Sequence, residues 1–328
     1  MPVAFVTGVT GQTGSYLAEN LIGRGWEVHG LSRDGDRPTE LEALGVEFHT
    51  GDLTDASSLA SIVDEVSPDT IVNLAALSSV AASWQQPLVT AELNALAVAA
   101  LVDAANELQK RRGIPVSFVQ AASAEIFGDA PVSPQNESTP IAPVNPYGAS
   151  KAYAHLLVGV YRRIGLRASS IILYNHESPR RPEQFVTRKI TAGVARIKAG
   201  LQDKLVLGSL DVRRDWGWAP DYADAIARVA TGEEPGDFVV ATGVAHTIEE
   251  FVATAFAAVG ISDWRLYVET DPALVRPADA TELRGDYARI ERTYGWTPSV
   301  NFHELVRLMV EADLAVVSPQ PSEESPSW

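Results

Sequence analysis

The run Val3-Ala-Phe-Val-Thr-Gly8-Val-Thr-Gly11-Gln-Thr-Gly14 constrains this chain more than any other segment. Pro2 to Val6 reads as a short apolar strand, and Gly14 to Gly25 reads as a helix. Between them lie Gly8, Gly11 and Gly14, three residues apart. Glycine permits the tight turn and lets a phosphate approach the backbone. The helix start then offers unpaired N–H groups and the positive end of the helix dipole. A glycine turn alone carries little weight. At the end of the first strand of a strand–helix–strand unit it predicts a dinucleotide's pyrophosphate.

The rest of the first half has the same rhythm. Trp26–Leu31, Val46–His49, Thr70–Leu74, Val116–Ala121 and Ala168–Tyr174 read as strands. Ser57–Val66, Thr90–Leu108 and Pro146–Ile164 read as helices between them. Short, wholly apolar strands alternating with helices predict an α/β fold, a doubly wound parallel sheet of the Rossmann type covered on both faces. After about residue 175 the rhythm weakens. Phe185–Ala199, Ile248–Val259 and Phe302–Ala312 read as helices, and Phe238–Ala241 and Trp264–Val268 as strands, which predicts a smaller α+β lobe that binds substrate. The expected division is therefore 1–174 for the cofactor and catalytic residues and 175–317 mainly for substrate, with some segments returning to the first domain. Residues 318–328, rich in Pro, Ser and Glu, are expected to be a loose tail.

Composition excludes several function classes. There is no cysteine, which removes disulfide scaffolds, zinc–thiolate sites, iron–sulfur clusters and thiol nucleophiles. No histidine pair or carboxylate cluster at ligand spacing suggests a metal. With 26 basic and 42 acidic residues the formal charge is 26 − 42 = −16, which disfavours nucleic acid and anionic membrane as partners. The uncharged stretch Thr70–Ala91 is interrupted by Asn73, two glutamines and Pro87, so no membrane span is expected there. A cytoplasmic protein is the expectation. Any phosphate-bearing ligand must then be met by a local gathering of the few arginines.

The second strand ends Gly30-Leu31-Ser32-Arg33, with no carboxylate at the strand end for a ribose 2′-hydroxyl. Arg33 favours the 2′-phosphate of NADP over NAD, against which Asp34 and Asp36 stand close by. Asp52 and Leu53 follow the third strand and are expected at the adenine end, with capping of the next helix as the plainer role for Asp52. Further along, Tyr147 and Lys151 lie four residues apart and share one helix face. A lysine beside a phenol is expected to lower the tyrosine pKa toward working pH, as a base for an alcohol proton requires. In isolation such a pair would be an ordinary surface contact. Here Ser123 and Glu125 sit at the end of the strand that opens onto the same crevice, so a hydroxyl and a second acid/base group join it.

These residues resemble the extended short-chain dehydrogenase/reductases. The closer resemblance is to the GDP-mannose 4,6-dehydratase family, over roughly residues 3 to 315. It is carried by Thr7–Glu19, Gly51–Asp55, Tyr174-Asn-His-Glu-Ser-Pro-Arg-Arg181, Phe185–Ile190, Arg214-Asp-Trp-Gly217 and Ala241-Thr-Gly243. The resemblance implies a redox-neutral conversion of a sugar nucleotide, GDP-D-mannose, to its 4-keto-6-deoxy form through bound NADP. It implies catalysis by Ser123, Glu125, Tyr147 and Lys151, where Ser123 stands for the family's threonine. Gly8, Gly11, Gln12, Gly14, Arg33, Asp52, Leu53, Leu74 and Ala75 would hold the cofactor with Tyr147 and Lys151. Ser83, Asn175, Glu177, Arg181, Lys189, Arg214 and Arg276 would hold the substrate. Arg180 and Arg213 read equally as surface charges, and His176 as structural.

Two departures bear on partners and specificity. The segment Arg33–Glu40 is shorter and more acidic than the family's, which points to a homodimer, with a tetramer as the alternative. Trp218 replaces a family histidine, and the stretch before Arg276 is shorter, so the sugar and base could differ. A 4-epimerase, a decarboxylase or a 4-keto reductase on the same fold remains open, as does a catalytically silent NADP-binding sensor.

Overall fold

A computed structural model describes residues 1–33 and 36–317; Asp34 and the expected tail at 318–328 lie outside the described residues. In chain order the strands are β1 (Val3–Thr7), β2 (Glu27–Ser32), β3 (Glu47–Thr50), β4 (Thr70–Asn73), β5 (Ser117–Ser123), β6 (Arg167–Leu173), β7 (Asn175–Glu177), β8 (Leu205–Leu207), β9 (Arg213–Trp218), β10 (Asp237–Val240), β11 (Ala245–Thr247), β12 (Val268–Thr270) and β13 (Glu282–Leu283). The longer helices are α1 (Gln12–Gly23), α2 (Ala56–Val66), α3 (Pro87–Arg112), α4 (Pro146–Arg163), α5 (Val186–Lys198), α6 (Ala219–Thr231), α7 (Ile248–Ala258) and α8 (Phe302–Val317).

Seven strands form a single parallel sheet in the order β10-β6-β5-β4-β1-β2-β3. Strand alternation sends successive side chains to opposite faces. Ala4 and Val6 of β1 pack with Leu17, Leu21 and Ile226 on one face. Phe5 packs with Leu59, Val63 and Leu101 on the other. The order reverses between β1 and β4, and ligands of such sheets bind in the crevice beyond the strand ends there.

Residues after 175 build two things. β10 extends the main sheet beside β6, and α6 packs against α1 over that sheet. The remainder forms a second core, with Ile190 and Val194 of α5, Trp216 of β9, Phe251 of α7 and Met309 of α8. β9 pairs with β7, β11 and β13 and so carries the lobe back to the mouth of the crevice.

Two elements differ from the sequence reading. The residue types of Trp264–Val268 predict a strand, but Trp264–Tyr267 is a 3-10 turn and pairing begins only at Val268. The turn drops Trp264 into the second core, a burial that a strand's alternation does not require. The sequence reading also passed over α6, whose buried face carries Tyr222, Ile226 and Val229 among alanines at helical spacing. The run Pro87–Arg112 is long and apolar enough to cross a membrane, yet half of that stretch is buried within the protein.

Candidate active site

A cleft of about 1020 Å³ opens at the switch point, lined by the glycine loop, the ends of β2, β4 and β5, the start of α4, and β7 and β9 from the lobe. At Gly8 the backbone has φ +68°, and an added Cβ would sit 2.8 Å from the Ala75 backbone nitrogen. A Cβ at Gly14 would strike the Gly8 carbonyl. Only glycine lets the loop fold this close to the end of β4. Gly11, at the start of α1, gives no side-chain cap, so the first N–H groups of that helix face the cleft unpaired by a cap. A cradle that any Cβ would fill, ending on an uncapped helix N-terminus, fits a dinucleotide pyrophosphate.

The other cofactor candidates fall around this cradle. Arg33, Asp52, Leu53, Leu74 and Ala75 all line the cleft. So does Asp36, whose carboxylate accepts from Thr10 Oγ1 at 2.9 Å. Asp52 does not cap the next helix. Its Oδ1 accepts from the Thr54 N–H at 2.8 Å, and Asp55 caps α2 instead. Gln12 reaches across to the lobe. Its Nε2 donates to the His176 carbonyl at 3.0 Å, and its Oε1 accepts from Ser178 Oγ at 2.9 Å.

β5 ends at Ser123, and a 3-10 turn, Ala124–Ile126, carries Glu125 into the same wall as Tyr147 and Lys151. Asn145 caps α4, and Pro146 occupies the first helical position, where its missing N–H costs nothing. That start places Tyr147 and Lys151 one turn apart, both buried, with Lys151 Nζ 5.9 Å from the Tyr147 ring centre. The expected electrostatics are reversed. Burial pushes the Tyr147 phenol up to about 12, and Glu125 adds to the rise, while Ser123 and Arg181 oppose it. Burial also pulls Lys151 down to about 8. The lysine spends its hydrogen bond on the Ala121 carbonyl, at 2.8 Å. Desolvation of both groups outweighs the help that their spacing suggested.

On the lobe side, Arg181 lies 3.3 Å from Glu177 and 3.8 Å from the Phe185 ring centre. Glu177 is fully buried, also accepts from Thr187 Oγ1 at 2.6 Å, and has its pKa raised by burial. It holds Arg181. Arg214 donates to the Ala280 carbonyl at 3.0 Å and to Asp279 at 2.5 Å. Arg276 meets the other oxygen of Asp279 at 3.0 Å. One carboxylate therefore gathers two guanidinium groups at the cleft wall, leaving a net positive patch suited to a diphosphate. Asn175 and Lys189 complete that wall.

Some candidates lie elsewhere. Ser83 is buried away from the cleft lining, accepting from the Tyr147 N–H at 3.2 Å and donating to the Val80 carbonyl. Arg180 pairs with Glu19 over Tyr16, and Arg213 with Glu282. His176 stacks on Tyr222, with ring centres 4.7 Å apart, and burial lowers its pKa to about 4. Its ring nitrogens meet Thr13 Oγ1 and the Tyr174 carbonyl, a structural role. Sequence reasoning missed Asp279 and Asn145. Nothing in local spacing marks Asp279, whereas Asn-Pro before a helical run signals a cap. Outside the cleft, His29, Glu47 and His49 bring three potential metal-ligand atoms within 4.8 Å, with the two imidazoles already hydrogen-bonded at 2.8 Å.

The profile of the GDP-mannose 4,6 dehydratase family matches residues 5–309. GDP-mannose 4,6 dehydratase 2 of Arabidopsis thaliana is 45% identical over 325 residues, 95% of this chain and 87% of that protein. Among solved structures, UDP-glucose 4-epimerase of Thermus thermophilus in complex with NAD superposes with a TM-score of 0.81 at 28% identity, covering 95% of this chain and 98% of the other. RMD from Pseudomonas aeruginosa complexed with NADPH superposes with a TM-score of 0.80 at 26% identity, covering 96% and 100%.

Proposed function

The chain belongs to the GDP-mannose 4,6-dehydratase family, and from that premise we propose that it converts GDP-D-mannose to GDP-4-keto-6-deoxy-D-mannose and water. The observation that carries this reading is Glu125. A carboxylate stands in the same wall as Ser123, Tyr147 and Lys151, and proton transfer at C5 needs it whereas epimerisation at C4 does not.

A nicotinamide cofactor, held by the glycine cradle and the start of α1, supplies the hydride acceptor for C4 and the hydride donor for C6. Arg33 at the end of β2 supports NADP, and Asp36 is the feature that opposes it. Tyr147 takes the C4 hydroxyl proton while Ser123 holds the same oxygen. A phenol at about 12 holds its own proton at neutral pH, so Tyr147 must first release that proton to solvent before it can take the C4 proton, and the nearby cationic side chains lower that cost. The C4 ketone acidifies the C5 hydrogen. Glu125 takes that proton and returns it to the C6 hydroxyl, which leaves as water. With hydride returned at C6, C5 takes up one proton, which balances the proton Tyr147 took from the C4 hydroxyl, and no reductant is consumed. Asp279 sets Arg214 and Arg276, and Glu177 sets Arg181, as planar donors for the diphosphate. Residues 1–174 thus serve mainly cofactor and chemistry, and 175–317 mainly the sugar nucleotide.

A homodimer in the cytoplasm completes the proposal. Leu88 and Leu96 on α3 and Leu156 and Ile164 at α4 are 78%, 60%, 56% and 64% exposed on adjacent helices. Large apolar side chains exposed together on neighbouring helices are the kind of surface that a second copy buries. The test of function is incubation with GDP-D-mannose and no added reductant, followed by mass spectrometry. A product lighter by one water is expected. Unchanged mass with a new sugar stereoisomer in the NMR spectrum would establish the epimerase reading that the UDP-glucose 4-epimerase likeness favours, and recovery of GDP-D-mannose alone would leave a binding protein.

A further inference from the structure

Asn145 uses both ends of one amide. Its Oδ1 accepts from the Gly148 N–H at 2.7 Å, which caps α4. An N–H can only donate, so that end of the amide is the oxygen and the other is the NH2 group. The Nδ2 end donates to Glu125 Oε2 at 2.8 Å. Both side chains are buried, at 5% and 8% exposure. Pro146 holds the backbone immediately after Asn145, and a Cβ at Gly148 would meet the Glu125 carbonyl at 2.5 Å. The helix start and the carboxylate turn are therefore locked together.

We infer that Asn145 is a positioning residue for Glu125, occupying Oε2 so that Oε1 alone exchanges protons with the sugar. This rests on the reading of Glu125 as the C5 base. With Oε2 engaged by the amide, the carboxyl group presents its other oxygen to the cleft. The charged and titratable groups facing Glu125 are Tyr147 and Arg214. Neither makes a hydrogen bond to its carboxylate among the described residues. Asn145 does, and touches one oxygen only, so it selects which oxygen works.

The two jobs separate by substitution. Asn145→Ser keeps a capping oxygen and loses the donor. Asn145→Asp keeps the cap and sets an acid against Glu125. Asn145→Ala loses both. In the holoenzyme with GDP-D-mannose, Asn145→Ser is expected to lower kcat about 10- to 100-fold, the range for losing a hydrogen bond to a charged group, with KM within about twofold. Its Tm falls by less than that of Asn145→Ala, which loses the cap as well. Asn145→Asp, which sets a carboxylate where the donor was, is expected to lower kcat at least as far as Asn145→Ser. Wild-type kcat in both Ser and Asp variants would overturn the inference. So would losses that follow Tm alone across the series, which would leave only a cap. Glu125→Gln separates the two layers. If it still eliminates water, the reading of Glu125 fails; if it is inactive while Asn145→Ser is unimpaired, only the role of Asn145 fails.

Discussion

Replacing Lys151 with methionine should make this protein more stable and much less active. The lysine is fully buried, and burial pulls its pKa from the ordinary 10.5 to about 8. At 1.36 kcal/mol per pH unit, that fall corresponds to about 3 kcal/mol spent at neutral pH to keep the ammonium charged inside the fold. Methionine has a similar length and carries no charge. The substitution forfeits the hydrogen bond to the Ala121 carbonyl, worth about 1–2 kcal/mol. That carbonyl is not orphaned, because Gln120 Nε2 also donates to it at 2.8 Å. A net gain of about 1–2 kcal/mol remains, or about 1.5–3 °C in Tm for a chain of this length. Between about pH 8 and pH 10.5 the unfolded chain keeps the lysine proton and the folded chain does not, so wild-type stability rises with pH across that window. The advantage of Lys151→Met is therefore complete below about pH 8 and closes as the pH approaches 10.5. Urea unfolding of both proteins at several pH values reads the difference directly, since all other groups titrate alike. Turnover should fall by about 10²-fold or more. A variant less stable than wild type at neutral pH, or an advantage that does not change with pH, would refute the reasoning.

Two further outcomes follow from the geometry. Gly8→Ala places a Cβ against the Ala75 backbone at a positive φ, and should cost about 1–3 kcal/mol in unfolding free energy. The same variant should lose the absorbance of co-purified nicotinamide cofactor, and an unchanged cofactor content would count against the cradle. Leu96→Glu combined with Leu156→Glu puts charge into the apolar face of α3 and α4, and light scattering should then report a monomer with the secondary structure intact. Wild-type size would place the subunit contact elsewhere.

The Gly8–Gly14 run, the alternation of β1 to β6 with helices, and the strand ends at Ser123 and Glu125 were legible in the sequence. Each is a local pattern, set by period, spacing and the stereochemistry of glycine, and needs no distant residue to define it. The i,i+4 placement of Tyr147 and Lys151 is of the same kind. What the pair does electrostatically is not. Their shifts come from burial, and burial depends on every element packed over them, so the sign inferred from spacing was reversed. α6 and β10 joined the first sheet for a similar reason. Both have local helix or strand patterns, but packing against α1 and pairing with β6 are long-range choices that those patterns do not specify. Asp279 gathering Arg214 and Arg276, and Asn145 spanning a helix cap and Glu125, are likewise contacts between segments far apart in the chain or joined only by a fixed turn. Sequence spacing specified which chemical groups reach the crevice, and folding set their charge, their partners and the oxygen left free to act.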